Sequence, residues 1–272
     1  MAMVGIGDTA LYYEVSGTGP AMVFIHGMCG DATVWAGQAG RFSDRFTCVR
    51  YDRRGHSRSG RGSVPVCVAR HADDAAALID ALDLAPCLLV ASSSGAVIAV
   101  DLAIRHGRLL RGVVLSEPPL FSLDPDAGRA VGVEFDRILQ LAATADGRSA
   151  AVDAFFALMC PGLWALLDEN GRARYRANAD IGFTDLRSPP LHVTSTELSE
   201  VTVPVLVIAG EVSHPALRSV AHRLAAALPD ARLVDIPNSG HVTYAEQPDA
   251  FAHAVSVFAD ELDRRPATAS RG

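Results

Sequence analysis

The sequence predicts an α/β protein with a mostly parallel central sheet and helices on both of its faces. Short apolar runs alternate along the chain with segments of helical periodicity. Single helices separate successive strands, and parallel strands require such crossover connections. Hydrophobic residues make up 49% and charged residues 20% of the 272 residues, which is typical of a folded chain long enough for one large domain.

The predicted strands and helices follow one another in a regular order. The strands, which are short apolar runs, lie at residues 11–15, 21–25, 46–50, 87–91, 112–116, 203–209 and 232–236. The helices, which have apolar positions at helical spacing, lie at residues 33–42, 70–82, 94–106, 215–228 and 247–262. Residues 84–104 are apolar enough to suggest a membrane span. Because Pro86, three serines and a glycine interrupt them, they are better explained as a buried strand, a tight turn and a buried helix.

Residues 121–200 interrupt the alternation of strands and helices. They contain helical patches at residues 133–142 and 151–158 but no convincing strand pattern. Since they fall between two predicted core strands, the sequence predicts a helical lid inserted into a core of residues 1–120 and 201–264. Ligands of open parallel sheets bind beyond the carboxyl ends of the strands, which is where a lid would act. A packed helical insertion with no role in substrate choice is the alternative.

Composition and charge exclude several classes of function. The net charge is −7 and no basic patch stands out, so we expect no nucleic-acid partner. The five cysteines lack CxxC spacing and the histidines lack metal-ligand spacing, so neither a disulfide framework nor a metal site is predicted, and no cofactor is implied. The N-terminus does not resemble a signal peptide, so we expect a cytoplasmic protein that is not bound to a membrane. The polar tail at residues 265–272 is expected to be frayed.

Ser93 is the candidate nucleophile. It follows the apolar strand at residues 87–91 and opens an apolar helix, in the strand–turn–helix order of a nucleophile elbow. The sharp turn of an elbow requires small residues two positions before and two positions after the serine. Among the three serines, only Ser93 combines a small residue two positions before it, Ala91, with a glycine two positions after it, Gly95. A serine-rich loop that merely caps the helix N-terminus is the alternative.

The glycine-rich turn at residues 26–30 is a candidate oxyanion hole. It comes directly after a buried strand, where backbone N–H groups can point toward a developing negative charge. The expected donors are the N–H groups of Met28 and of Ser94, the residue after the nucleophile. Gly27 is the alternative donor if the turn is offset by one residue. His26 is more readily explained as a structural residue that braces the turn.

His241 is the candidate general base. It ends the loop Asn238-Ser239-Gly240-His241, which follows the last predicted strand and precedes the last helix. A histidine in this loop can reach the elbow, and the chain order of serine first and histidine last is that of the hydrolases with such an elbow. The alternative is a histidine at a helix N-terminus with no catalytic partner.

Four motifs along the chain together resemble the α/β-hydrolase superfamily. They are YDRRGHSRS at residues 51–59, His26-Gly27, Ser93-Ser94-Gly95 and Gly240-His241. The resemblance spans residues 10–262 and is specific for the fold rather than for the substrate. With Ser93 and His241 it implies acyl transfer through an acyl-serine, and the apolar residues of the helical insertion favour an apolar ester or lactone as the small-molecule substrate. Two alternatives stay open: a C–C bond hydrolase with the same triad, and a repurposed fold that binds or isomerises a metabolite without hydrolysis.

The third member of the triad departs from the common family pattern. Many relatives carry an aspartate three residues after the glycine that follows the strand at residues 203–209, and this chain has Ser213 there. Glu117, at the end of the strand at residues 112–116, is the expected substitute. The run Ser93-Ser94-Gly95-Ala96 and the pair Glu117-Pro118 resemble the zearalenone-lactone hydrolase group, which places its acid at such a glutamate. Glu211, or a dyad without an acid, is the alternative.

The helical insertion supplies candidate residues for an apolar substrate pocket. They are Phe155, Met159, Trp164 and Phe183. Methionine and aromatic side chains suit such a pocket, but the same residues could equally form the core of the insertion itself.

Overall fold

The central element is an eight-stranded sheet in the order β1-β2-β4-β3-β5-β6-β7-β8. Its strands are β1 (Ala2–Ile6), β2 (Thr9–Ser16), β3 (Ala21–Ile25), β4 (Thr47–Tyr51), β5 (Cys87–Ser92), β6 (Leu110–Ser116), β7 (Val205–Gly210) and β8 (Ala231–Ile236). Strands β3 to β8 run parallel, whereas β1 and β2 pair antiparallel at one edge. The computed structural model describes residues 2–144 and 146–265, so residues 266–272 of the predicted tail lie outside the described residues.

Helices cover the sheet and fill the segments between its strands. They are α1 (Ala36–Phe42), α2 (Val68–Ala81), α3 (Ser94–His106), α4 (Pro125–Ala142), α5 (Gly147–Met159), α6 (Pro161–Leu166), α7 (Glu169–Ala177), α8 (Ala179–Arg187), α9 (Ser195–Ser199), α10 (Pro215–Ala227), α11 (Thr243–Glu246) and α12 (Pro248–Arg264). The predicted α/β class with helices on both faces is therefore confirmed. The helix expected at residues 33–42 is split, since its first residues, Ala32–Trp35, form a 3₁₀ turn before α1.

The side chains of β5 show how both faces of the sheet are buried. Leu89 and Ala91 belong to the apolar cluster under α2, α3 and α10. Leu88 and Val90 belong to the opposite cluster, with α1 and α12. Alternate residues of a strand point to opposite faces, so a strand covered on both sides needs a continuous apolar run. The sequence of β5 has such a run, and all six of its residues are buried.

Residues 121–200 connect β6 to β7 through α4 to α9, and their described part contains no strand. Helix α5 buries Phe155, Phe156 and Met159 in the same apolar cluster as Phe24 and Val90 of the sheet. The insertion therefore shares its apolar core with one face of the sheet. No helix among the described residues is both long and apolar enough to cross a membrane.

Candidate active site

Ser93 lies at the turn between β5 and α3 with a left-handed backbone, φ 56° and ψ −128°. A non-glycine residue in this conformation is strained, and such strain is characteristic of the elbow that exposes a nucleophile. At Gly95, a Cβ atom would approach the carbonyl oxygen of His26 to 2.5 Å, so only glycine fits. Ala91 is completely buried beneath the turn. The tight packing of the turn thus explains why small residues, Ala91 and Gly95, flank the predicted nucleophile.

His241 contacts both Ser93 and Glu117. Its Nε2 lies 2.9 Å from Ser93 Oγ, and its Nδ1 lies 2.7 Å from Glu117 Oε2. The carboxylate can only accept a hydrogen bond, so it holds the proton of the neutral ring on Nδ1. Nε2 is then free to accept the hydroxyl proton of Ser93.

Loops at the carboxyl ends of the sheet bring these side chains together. Glu117 directly follows β6, has φ 47°, and its N–H donates to the carbonyl oxygen of Ile208 on β7 at 3.0 Å. His241 lies in the loop after β8. Glu246 closes that loop, because its carboxylate accepts from Gly240 N at 2.8 Å and from Val242 N at 3.1 Å.

Further donors surround the buried carboxylate of Glu117. Gly210 N donates to Oε1 at 2.7 Å, and Ser213 Oγ donates to Oε2 at 2.6 Å. Glu117 is fully buried, and a buried charge needs such partners to offset its lost hydration. Ser213, at the position where many relatives carry an aspartate, therefore helps to hold the carboxylate of Glu117. The alternative acid, Glu211, instead accepts from Asn238 N at 3.0 Å.

The expected oxyanion donors lie beside the nucleophile. Met28 and Ser94 line the same cavity as Ser93. Ser94 is the first residue of α3, so its N–H is among those that have no acceptor within the helix. Gly27 passes so close that an added Cβ would lie 3.1 Å from the Cβ of Ser93. A side chain at residue 27 would therefore crowd Ser93.

His26 braces the turn from below. Its Nδ1 lies 2.9 Å from the carbonyl oxygen of Gly27, and its Nε2 accepts from Arg53 N at 3.0 Å. Burial lowers the pKa of this imidazole to about 3, which keeps it neutral. These contacts agree with the structural role expected for His26.

A cavity of about 580 Å³ lies between the sheet and the insertion, with Ser93 and His241 in its wall. Phe155 and Met159 line it, as expected, but Trp164 and Phe183 are not among the described residues that do. Trp164 instead stacks on Phe156 with ring centroids 4.9 Å apart. The side chain of Phe183 is 1% exposed within the apolar core. These two aromatic residues serve the packing of the insertion, which was the alternative explanation.

Sequence reasoning missed a polar group in the cavity wall, made of Arg53, His71 and Asp185. Arg53 Nη1 donates to Asp185 Oδ2 at 2.9 Å, and His71 Nε2 lies 3.0 Å from Asp185 Oδ1. The three residues come from the loop after β4, from α2 and from α8. Arg53 belongs to the YDRRGHSRS motif, but no local pattern marks its partners. Among the described residues, no group of three or more His, Cys, Asp or Glu side chains could hold a metal ion.

A serine on a strand-to-helix elbow, hydrogen-bonded to a loop histidine at the end of a largely parallel sheet, defines a hydrolase of the α/β class. The chain matches the model of the Alpha/beta hydrolase family over residues 22–254 and belongs to that family.

Similar proteins agree with this class but differ in substrate. RutD of Caulobacter sp. (strain K31), named for carbamate hydrolysis, is 33% identical over 268 residues, which cover 91% of this chain and 95% of RutD. The uncharacterized hydrolase YraK of Bacillus subtilis (strain 168) is 39% identical over 115 residues, 42% of each chain. The crystal structure of the enol-lactonase from Burkholderia xenovorans LB400 is similar, with a TM-score of 0.73, 25% identity, and coverage of 95% of this chain and 100% of the other. The chain is thus a hydrolase of the α/β class. The names of the similar proteins do not determine its substrate.

Proposed function

We propose that the protein hydrolyses an apolar carboxylic ester or lactone through an acyl-serine intermediate, with Ser93, His241 and Glu117 as its catalytic triad. The observation that carries this proposal is the continuous hydrogen-bonded line from Ser93 Oγ through the imidazole of His241 to the buried carboxylate of Glu117. This is the geometry of an activated serine, in which nucleophile, base and orienting acid lie within direct contact of one another.

In the first half of the reaction, Ser93 Oγ attacks the substrate carbonyl carbon while His241 Nε2 takes the hydroxyl proton. Negative charge then develops on the carbonyl oxygen, and the proposal assigns the N–H groups of Met28 and Ser94, two residues of the cavity wall, to bind it. Glu117 stabilises the imidazolium that forms. When the tetrahedral intermediate collapses, His241 returns the proton to the leaving alkoxide, and the acyl group stays on Ser93.

In the second half, water replaces the leaving group. His241 Nε2 takes a proton from the water as its oxygen attacks the acyl carbon, and the same backbone donors bind the second oxyanion. Collapse returns the proton to Ser93 Oγ and releases the carboxylic acid. For a lactone, the alcohol and the acid leave as one hydroxy acid.

The lining of the cavity favours an apolar substrate. Most of the wall consists of aliphatic and aromatic side chains, among them Val97, Ile98, Leu120, Phe135 and Leu191. Transfer of apolar groups from water to such a wall contributes about 25 cal/mol per Å² of buried surface. We extend the proposal to residues 121–200 as a lid, because α4, α5 and α8 of this segment supply part of the wall.

The finer choice of substrate rests on likeness to other proteins. The similarity to an enol-lactonase and to RutD makes lactones and carbamates natural test substrates. The motifs that resemble the zearalenone-lactone hydrolase group, Ser93-Ser94-Gly95-Ala96 and Glu117-Pro118, make a macrocyclic lactone another.

A fluorophosphonate probe tests the triad directly, since it labels an activated serine without requiring the correct substrate. We expect the wild-type protein to be labelled and Ser93→Ala to be neither labelled nor active, with a loss of about 10⁶-fold in turnover on any ester that it cleaves. Ser92→Ala, which removes the neighbouring hydroxyl, is the matched control and should keep both properties. Labelling that persists in Ser93→Ala would contradict the proposal. Turnover of a diketone panel but not of esters, lactones or carbamates would replace it by C–C bond hydrolysis.

A further inference from the structure

A second and much smaller cavity, of about 30 Å³, also borders Ser93. Four residues belong both to its wall and to that of the large cavity of about 580 Å³, namely Met28, Ser93, Phe155 and His241. Gly27 lies in the wall of the small cavity as well, and an added Cβ there would lie 3.7 Å from Ser93 Oγ. The small and the large cavity therefore adjoin at the nucleophile and its base, where the substrate carbonyl has to lie.

The small cavity has room for a short apolar group. One enclosed water molecule needs about 10–15 Å³, so a space of about 30 Å³ holds about two atoms of that size. Its wall consists mostly of apolar and aromatic side chains, among them Val34, Leu163 and Tyr244. Cys160 lies there too, and burial raises the pKa of its thiol well above the usual value, so the thiol is uncharged. A methyl or an ethyl group matches this size and this lining.

The two cavities differ in their access to solvent. Every described residue in the wall of the small cavity is buried or half-buried. The wall of the large cavity extends to the surface, because it includes the exposed residues Pro125, Pro189, Pro190 and His192. A group bound in the large cavity can therefore be exchanged for water, whereas a group in the small cavity is sheltered.

The two half-reactions of ester hydrolysis place different demands on the two branches of the substrate. The acyl branch stays attached to Ser93 through both of them. The alcohol leaves after the first, and water takes its place beside His241 Nε2. A sheltered space suits the branch that stays, and a space open to solvent suits the branch that is replaced. The acyl group thus fits the small cavity, and the alcohol fits the large one.

We propose that the small cavity is the acyl subsite and that its size restricts the acyl group to about two or three carbon atoms, the carbonyl carbon included. The substrate is then an acetate or propionate ester of an apolar alcohol, which occupies the large cavity. The proposal deepens the hydrolase function above and rests on it. It narrows the ester or lactone of that function to an acyclic ester with a short acyl group.

Leu163 and Val34 are the specificity-determining residues that limit the acyl length. Both also line a third cavity, of about 200 Å³, whose described wall includes neither Ser93 nor His241. Leu163 is buried on α6, and Val34 is half-buried in the 3₁₀ turn before α1. Because both residues lie on the boundary between the small and the third cavity, shortening either side chain should join the two spaces and admit a longer acyl chain.

Two series of esters measure which branch each cavity accepts. In the first series, 1-naphthol is esterified with acetic, propionic, butyric or hexanoic acid, so the leaving group is constant. In the second, acetic acid is esterified with ethanol, butanol or hexanol. We expect kcat/KM of the wild-type protein to fall by about 10-fold from the acetate to the hexanoate, because the longer chain does not fit. It should rise by about 10-fold from ethyl to hexyl acetate, because the longer alcohol buries more apolar surface.

Leu163→Ala and Val34→Ala test the boundary of the acyl subsite from two sides. Each should raise the ratio of kcat/KM for naphthyl hexanoate over naphthyl acetate by about 10-fold relative to wild type. Leu158→Ala is the matched control and should leave the ratio unchanged. Leu158 packs against the same apolar cluster as Leu163, but it is not among the described residues that line any of the three cavities. Thermal unfolding shows that each variant is folded.

The outcomes separate this proposal from the hydrolase function on which it rests. Ester hydrolysis with no preference for the short acyl groups, or with a preference for hexanoate, overturns the acyl subsite and leaves the serine hydrolase intact. An unchanged ratio in a folded Leu163→Ala or Val34→Ala protein, or an equal rise in Leu158→Ala, also overturns it, as does fluorophosphonate labelling of Ser93 without hydrolysis of any of these esters. Absence of both labelling and hydrolysis would remove the proposed function and the acyl subsite with it.

Discussion

The two sides of the active-site cavity place their residues in different ways. On the sheet side, Ser93, Glu117 and His241 each lie in a short loop at the end of a strand, and the order of adjacent strands brings them together. On the insertion side, Phe155 and Asp185 project from helices whose positions depend on packing against the rest of the chain. Local chain geometry therefore fixes the chemistry, and long-range packing shapes the space available to the substrate.

Backbone strain is concentrated on the sheet side. Ser93 and Glu117 both have positive φ although neither is glycine, which costs on the order of 1–3 kcal/mol each. Hydrogen bonds across the sheet hold both turns: Ser93 N donates to the carbonyl oxygen of Ser116 at 2.9 Å, and Glu117 N donates to that of Ile208 at 3.0 Å. The rigid strands thus maintain an arrangement that an isolated loop would not.

Among substitutions on the sheet side of the cavity, Glu117→Gln should cause the largest loss of turnover after removal of the nucleophile. Gly210 N, 2.7 Å from Oε1, should keep the amide oxygen on its side and so turn the NH₂ group toward His241 Nδ1. An amide donor there would move the ring proton to Nε2, which could then no longer accept the proton of Ser93. We expect turnover to fall by about 10⁴-fold in steady-state kinetics on the best ester, while thermal unfolding shows an intact fold.

Glu211→Gln is the control for this change, because it alters the other carboxylate proposed from the sequence. Glu211 contacts the backbone of Asn238, and we expect turnover within about 2-fold of wild type, since surface changes of this kind have small effects. Near-full activity in Glu117→Gln, or a severe loss in Glu211→Gln, would show that the acid had been assigned to the wrong residue.

A smaller effect is expected on the insertion side, where Phe155→Ala and Trp164→Ala separate the cavity wall from the packing behind it. Phe155 lines the cavity, so its loss should shift the relative kcat/KM for hexanoate and butyrate esters by about 10-fold. Trp164 stacks on Phe156 outside that wall, and its loss should lower the free energy of unfolding by about 2 kcal/mol without changing the ratio. An equal shift in ester preference in both variants would contradict this division.

The sequence predicted the sheet side of the site far better than the insertion side. Residue spacing at strand ends is a local pattern, so the positions of Ser93 and His241 could be found without knowledge of the fold. The partners of Asp185, by contrast, lie 132 and 114 positions away at Arg53 and His71, and no local pattern records such contacts. Aromatic composition alone also could not tell Phe155 in the wall from Trp164 behind it.

The sequence also predicted some elements of the fold better than others. Continuous apolar runs marked the buried parallel strands, whereas β1 was missed because it includes Gly5 and alternates between partly buried and exposed positions. The expected helix at residues 33–42 begins instead as a 3₁₀ turn, where the side chain of Asp31 accepts from Thr33 N at 2.8 Å. Edge strands and helix ends depend on such individual contacts, which periodicity does not show.

The smallest expected effect concerns Ser213, which occupies the position where many relatives carry an aspartate. Its hydroxyl donates to Glu117 Oε2 at 2.6 Å, the same oxygen that faces His241 Nδ1. Ser213→Ala should therefore loosen the carboxylate without removing its charge, and we expect turnover to fall by about 5-fold, less than the full value of a hydrogen bond to a charged group, because Gly210 N still holds Oε1. Ser213→Thr retains the hydroxyl and should restore most of the activity in the same kinetic assay. A loss as large as that in Glu117→Gln would mean that the hydroxyl itself orients the base, and no loss at all would mean that the buried carboxylate is positioned without it.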